Sequence, residues 1–117
     1  MYIHGATTSR LLLELQKGLP ISLCVTHLDG LVLARSAFDH SMNYRSVVIN
    51  GKAFLVEDEN EKKDALHCIS ERLIKGRWDE VRPPSEKEMK ATTVLRIEIE
   101  TASAKIRSGP PSDNPED

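Results

Sequence analysis

The chain is 117 residues long, one domain's worth, with 16 basic and 18 acidic side chains and a formal charge of −2. That balance excludes a strongly basic nucleic-acid binder, whose domain pI would exceed about 9. No apolar run reaches the roughly 18–20 residues of a membrane span. The opening residues Met1-Tyr2-Ile3-His4-Gly5 lack a basic segment leading into an apolar core, so no secretory signal is expected. Cys24 and Cys68 are too few for a disulfide scaffold and form no CxxC pair. A reduced, cytoplasmic setting without zinc is the expectation.

In chain order, Tyr2-Ile3-His4 reads as a strand followed by Gly5. Thr7-Thr8-Ser9-Arg10 then leads into Leu11, Leu12, Leu13 and Leu15, closed by Lys17-Gly18-Leu19-Pro20. Hydroxyls before a leucine-rich run, with Gly and Pro after it, predict a short helix. Residues 21–27 and 31–38 are rich in apolar and β-branched side chains and flank Asp29-Gly30. Residues 44–49 and 52–56 likewise flank Asn50-Gly51. Asp-Gly and Asn-Gly favour type I′ turns, so two tight hairpins are predicted.

Asp58 followed three residues later by Glu61 signals a helix start, and Ala65, Leu66, Ile69, Leu73 and Ile74 recur at helical spacing before Gly76. Residues 77–84 read as a loop holding the only tryptophan, Trp78. Ser85 and Glu88 predict a capping box for a further short helix. Leu95, Ile97 and Ile99 alternate with Arg96, Glu98 and Glu100, the period of a strand with one wet face. Residues 104–107 read as a last short strand. The final nine residues hold three acidic side chains, three prolines and no base. They bury nothing that could offset their ordering entropy, so a disordered tail over 109–117 is expected after a domain over 1–108. About six strands and two or three short helices, without long βαβ crossovers, predict a mainly β fold: an antiparallel barrel or open sheet carrying helices.

The chemistry-bearing residues are few. Six glycines form no phosphate loop. His4, His27, His40 and His67 have no helical metal spacing, so no metal is expected. Cys24 alternates within an apolar strand and Cys68 adjoins Ile69, so both read as buried structural thiols. No catalytic acid, base or nucleophile stands out. Two polar clusters remain. Thr7-Thr8-Ser9-Arg10 puts hydroxyls and a guanidinium at a helix start, donors that suit phosphate oxygens, although a plain cap with a surface arginine has the same residues. Tyr44-Arg45-Ser46 heads a strand. Alternation sends Tyr44 and Ser46 to one face and Arg45 to the other, where it needs an anionic partner or water.

These clusters, in this order, carry a family resemblance. Strand, His4-Gly5, hydroxyl turn, Ser9-Arg10-Leu11-Leu12 helix and Met42-Asn43-Tyr44-Arg45-Ser46-Val47-Val48 are similar to the pyridoxamine 5′-phosphate oxidase-like FMN-binding split barrel. The branch is that of flavin-nucleotide-binding proteins related to nitroimidazole-resistance proteins. The likeness continues through Leu55-Val56-Glu57-Asp58, residues 76–84 and residues 102–111. It implies an antiparallel split β-barrel, incomplete here because the family carries two strands ahead of the one at Tyr2 and a further apolar segment beyond the proline-rich end. It also implies a homodimer with FMN held between subunits, and flavin-dependent oxidoreductase activity. His4, Ser9, Arg10, Tyr44, Arg45 and Ser46 match positions near that cofactor. The alternative is a truncated, non-catalytic member acting as a dimerisation or binding module.

Overall fold

A computed structural model describes residues 1–117. The strands are β1 (Tyr2–Ala6), β2 (Pro20–Val32), β3 (Ser41–Leu55) and β4 (Thr92–Arg107). The helices are α1 (Arg10–Leu15), α2 (Glu59–Leu73), α3 (Arg77–Glu80) and α4 (Glu86–Ala91), with a 3₁₀ turn at Ala37–Asp39. The strands join in one antiparallel sheet in the order β1-β4-β3-β2, so the fold class is the expected one: mainly β, of the incomplete split-barrel kind, with helices. No helix is long and apolar enough to cross a membrane.

Both expected tight hairpins are absent. Asp29-Gly30 lies inside β2 and Asn50-Gly51 inside β3, each strand running straight through. Type I′ turns need positive φ, yet only Gly18, Gly76 and Gly109 adopt it. Gly51 serves another purpose: a Cβ there would fall on the Glu98 carbonyl oxygen of β4. Glycine at this point permits a close backbone approach within the sheet. The real connection between β2 and β3 is longer, through the 3₁₀ turn, where the Ser36 side chain accepts from Phe38 N at 3.2 Å. Residues 104–107 continue β4 instead of forming a separate strand. Six expected strands are therefore four long or edge strands.

The chain forms two compact units. The first comprises Met1–Ile21 with Gly51–Glu100, and the second Ser22–Asn50 with Thr101–Asp117. Each of β2, β3 and β4 contributes residues to both.

The first unit contains all four α-helices and most of the core. Ser9 caps α1, and of its leucines Leu12 and Leu15 are buried while Leu11 and Leu13 face water. Gly5 makes room for this helix, since a Cβ there would stand 2.8 Å from Leu12 Cδ1. Asp58 caps α2 by accepting from Glu61 N at 2.8 Å. Ser85 and Glu88 form a complete, reciprocal capping box on α4. Val56, Ala65 and Val94 make a buried cluster against which Tyr2 and Leu66 pack. Val94 and Leu95 are fully buried. β1 is an edge strand, paired with β4 so that His4 stands opposite Val94.

The second unit buries only Val32 and Ile49 among its apolar side chains. Cross-strand polar contacts mark it instead. Ser22 Oγ donates to Asn50 Oδ1 at 2.6 Å, and Asn50 Nδ2 to Thr101 Oγ1 at 3.2 Å. Residues beyond β4 add two more contacts. Arg35 N donates to Asp113 Oδ1 at 2.9 Å and Asn43 Nδ2 to the Gly109 carbonyl at 3.0 Å. Both cysteines, expected to be buried, are exposed and free, Cys24 in the second unit and Cys68 in the first. The alternation that suggested burial of Cys24 fails because β2 is exposed along much of its length.

Candidate functional site

The six candidate residues fall into both units. His4, Ser9 and Arg10 belong to the first; Tyr44, Arg45 and Ser46 belong to the second.

Ser9 is committed to its helix. Its extended backbone turns the chain into α1, and its hydroxyl oxygen accepts from Leu12 N at 3.4 Å while its proton stays available to a ligand. Arg10, the first helical residue, is exposed and makes no ion pair. His4 of β1 lines a cavity of about 460 Å³ in the first unit. Leu66, Ile69 and Leu73 of α2, Trp78 of α3 and Met89 of α4 supply its apolar walls. Helical spacing on α2 puts those three side chains on one stripe. Trp78 is braced by an edge-to-face contact with His67, centroids 5.4 Å apart. The charged groups at this cavity neutralise each other: Arg82 grips Glu88 with two bonds of 3.0 and 2.9 Å. The guanidinium first, then the Ser85 backbone N–H and hydroxyl, holds the Glu88 carboxyl down at about 2. His4 is the one ionisable side chain there without an internal partner.

In the second unit alternation along β3 places Tyr44 and Ser46 on one face, as expected. Both line a cavity of about 410 Å³ with Thr26 and Leu28 of β2 and Met42. Thr26 Oγ1 donates to Ser46 Oγ at 3.1 Å, and Cys24 Sγ lies 3.5 Å from each hydroxyl. The Ser46 hydroxyl, then that of Thr26, lowers the Cys24 thiol pKa. Arg45 points away from Tyr44 and Ser46. Its Nε lies 3.2 and 3.1 Å from the two Asp29 carboxylate oxygens, and its Nη2 donates to Oδ1 at 2.9 Å. Of the two partners expected for Arg45, an anion or water, the exposed guanidinium has both, the anion being Asp29.

Several of these residues carried no readable signal. Trp78 and Met89 meet His4 only through tertiary packing, and Thr26 and Leu28 reach Tyr44 only through the β2–β3 pairing. Asp29 was legible only as a turn residue. No group of three His, Cys, Asp or Glu side chains converges as metal ligands would.

A family model described as pyridoxamine 5′-phosphate oxidase matches residues 1–106. The flavocytochrome Anf3 from Azotobacter vinelandii is 43% identical, with 98% of this chain and 53% of that chain covered and a TM-score of 0.78. The FAD and haem binding protein from Mycobacterium smegmatis is 36% identical over 98% of this chain and 57% of that one, with a TM-score of 0.81. A Bacteroides thetaiotaomicron protein assigned to 5-nitroimidazole antibiotic resistance shares the fold at 22% identity, with 88% and 58% covered and a TM-score of 0.64. The chain thus spans little more than half the length of these solved structures. A comparison with curated proteins finds no match. A match over residues 1–106 and two well-covered solved relatives above 30% identity lead to one assignment: this chain belongs to the pyridoxamine 5′-phosphate oxidase family.

Proposed function

We propose that this chain binds a flavin nucleotide, FMN, and serves a flavin-dependent oxidoreductase. The observation that carries the reading is the second unit's cavity, where the hydroxyls of Tyr44, Ser46 and Thr26 stand beside apolar Leu28 and Met42. An isoalloxazine has that character: flat apolar rings with a polar, amide-like edge. In the first unit, Arg10 offers an unpartnered guanidinium and Ser9 a hydroxyl proton, which suit phosphate oxygens. A bound flavin would supply the electron or hydride transfer; the chain's own groups anchor and orient it. The flavocytochrome and the FAD and haem binding protein among the solved relatives support the same class of cofactor.

The reading includes a domain over residues 1–108 with an appended acidic tail over 109–117, a cytoplasmic setting and a homodimer. The dimer is supported by the apolar side chains that the second unit leaves in water, among them Leu28, Leu31, Leu33, Phe38 and Ile106. Titration with FMN and with riboflavin tests the cofactor. Arg10→Ala is expected to weaken FMN about tenfold while sparing riboflavin, since a charge-assisted bond to phosphate is lost. Equal affinities for the variant and the unaltered chain would return Arg10 to the solvated surface. A dimer that binds no flavin would instead support the non-catalytic binding module.

A second reading, haem, is favoured by a separate observation. His4 and Met89, both axial-ligand types, line the same mostly apolar cavity of the first unit. Hemin titration checks it. A sharp Soret band that Met89→Leu or His4→Ala alters supports haem, and an unchanged free-hemin spectrum removes it.

A further inference from the structure

Arg45 stands between Tyr44 and Ser46 in the chain yet on the opposite face of β3, and Asp29 follows Leu28, another wall of the same cavity. The guanidinium–carboxylate pair is thus one residue away from three of the five cavity-lining side chains. Three contacts of 2.9–3.2 Å, fork to carboxylate, define one relative position of β2 and β3. A slip of one residue would send Tyr44 and Ser46 to the opposite face and separate Thr26 Oγ1 from Ser46 Oγ. The pair also takes up the Nε–Nη2 edge of the guanidinium, both atoms facing Asp29, and leaves Nη1 turned from it.

We infer that Arg45 is a positioning residue that, through Asp29, holds the hydroxyl-lined cavity in register, and is not a ligand of the flavin phosphate. This rests on the flavin reading above. The role makes a distinctive demand. A phosphate ligand affects FMN and leaves riboflavin, which has no phosphate, untouched. A register pin affects both flavins alike, and its carboxylate partner matters as much as the arginine.

The experiment measures dissociation constants for FMN and riboflavin with the unaltered chain, Arg45→Ala, Asp29→Ala and the exchanged pair Asp29→Arg/Arg45→Asp. Each single variant is expected to weaken both flavins by the same factor, about two- to fivefold for an exposed pair. The exchanged pair, which keeps the contact, is expected to restore both. Loss confined to FMN in Arg45→Ala, or tighter FMN binding by Asp29→Ala, would overturn the inference and make Arg45 a phosphate ligand. Unchanged affinities with only a lower melting temperature would overturn it too, reducing the pair to a structural contact. An unaltered chain that binds neither flavin would overturn the flavin reading itself, an outcome distinct from either of those.

Discussion

The two units of this chain solve different problems with the same kind of strand. The first buries Leu12, Leu15, Ala53, Val56, Ala65, Val94, Leu95 and Ile97, and its helices are capped by Ser9, Asp58 and Ser85. The second buries Val32 and Ile49 and leaves Leu31, Leu33, Phe38 and Ile106 largely in water. It is defined by polar contacts: Arg45 to Asp29, Ser22 to Asn50, Arg107 to Asn43. The first unit therefore has the means of its own stability. The second has register and hydroxyl chemistry, and apolar side chains left in water. Burial marks where the first unit is held; cross-strand polar contacts mark how the second is aligned.

Substitutions in each unit test that contrast. The largest expected effect is in the first unit. Leu95→Ala removes a fully buried side chain and is expected to cost about 2–5 kcal/mol in a denaturant titration. A cost below about 1 kcal/mol would mean that the first unit's core is not where stability resides. Gly51→Ala sets a Cβ against the Glu98 carbonyl, a backbone atom that cannot swing aside. Its expected cost is about 3 kcal/mol, the top of the overpacking range. A tight turn at Asn50-Gly51 would instead tolerate other turn-forming residues, so replacement by Asn or Asp separates the two accounts.

The next effect depends on pH. Glu88 is held at about 2, below its ordinary 4.5, by Arg82 and Ser85. A depressed carboxyl contributes stability that is fully present above the ordinary value and is lost as pH falls from there toward about 2. Melting temperature against pH is therefore expected to fall over that interval, and Glu88→Gln to flatten that part of the curve. An identical acid limb in the variant would show that the capping box and its arginine carry no proton linkage. The smallest effect belongs to the second unit. Phe38→Ser replaces a side chain that is 93% exposed and is expected to change monomer stability by no more than about 0.5 kcal/mol. Sedimentation would show weaker self-association for this variant if Phe38 lies under a second copy. A large loss of monomer stability would erase the contrast.

Which features were legible in the sequence follows the range of the interaction that produces them. Asp58 with Glu61, and Ser85 with Glu88, are contacts three residues apart, and both helix starts stand where those pairs put them. Asp29-Gly30 and Asn50-Gly51 carry strong local turn preference, but pairing across the sheet overrides it. The reason at Gly51 is a carbonyl 47 residues away, which no local pattern can reveal. The same division holds at the candidate site. That Tyr44 and Ser46 share a face follows from alternation. That Arg45 meets Asp29 does not, because an aspartate assigned to a turn is not placed on a strand facing the arginine. Cys24 is the reverse case: alternation was present, yet β2 has no buried face there for it to mark.

The proposed flavin site stands on the second unit's cavity, where Tyr44, Ser46 and Thr26 line one wall set with Leu28 and Met42. The most direct measurement is a titration of FMN with the purified chain, followed by flavin fluorescence and visible absorbance. Saturable quenching with a resolved shift of the flavin bands is expected. Unquenched FMN whose spectrum stays that of the free flavin, at protein concentrations where the chain is folded and dimeric, would contradict it.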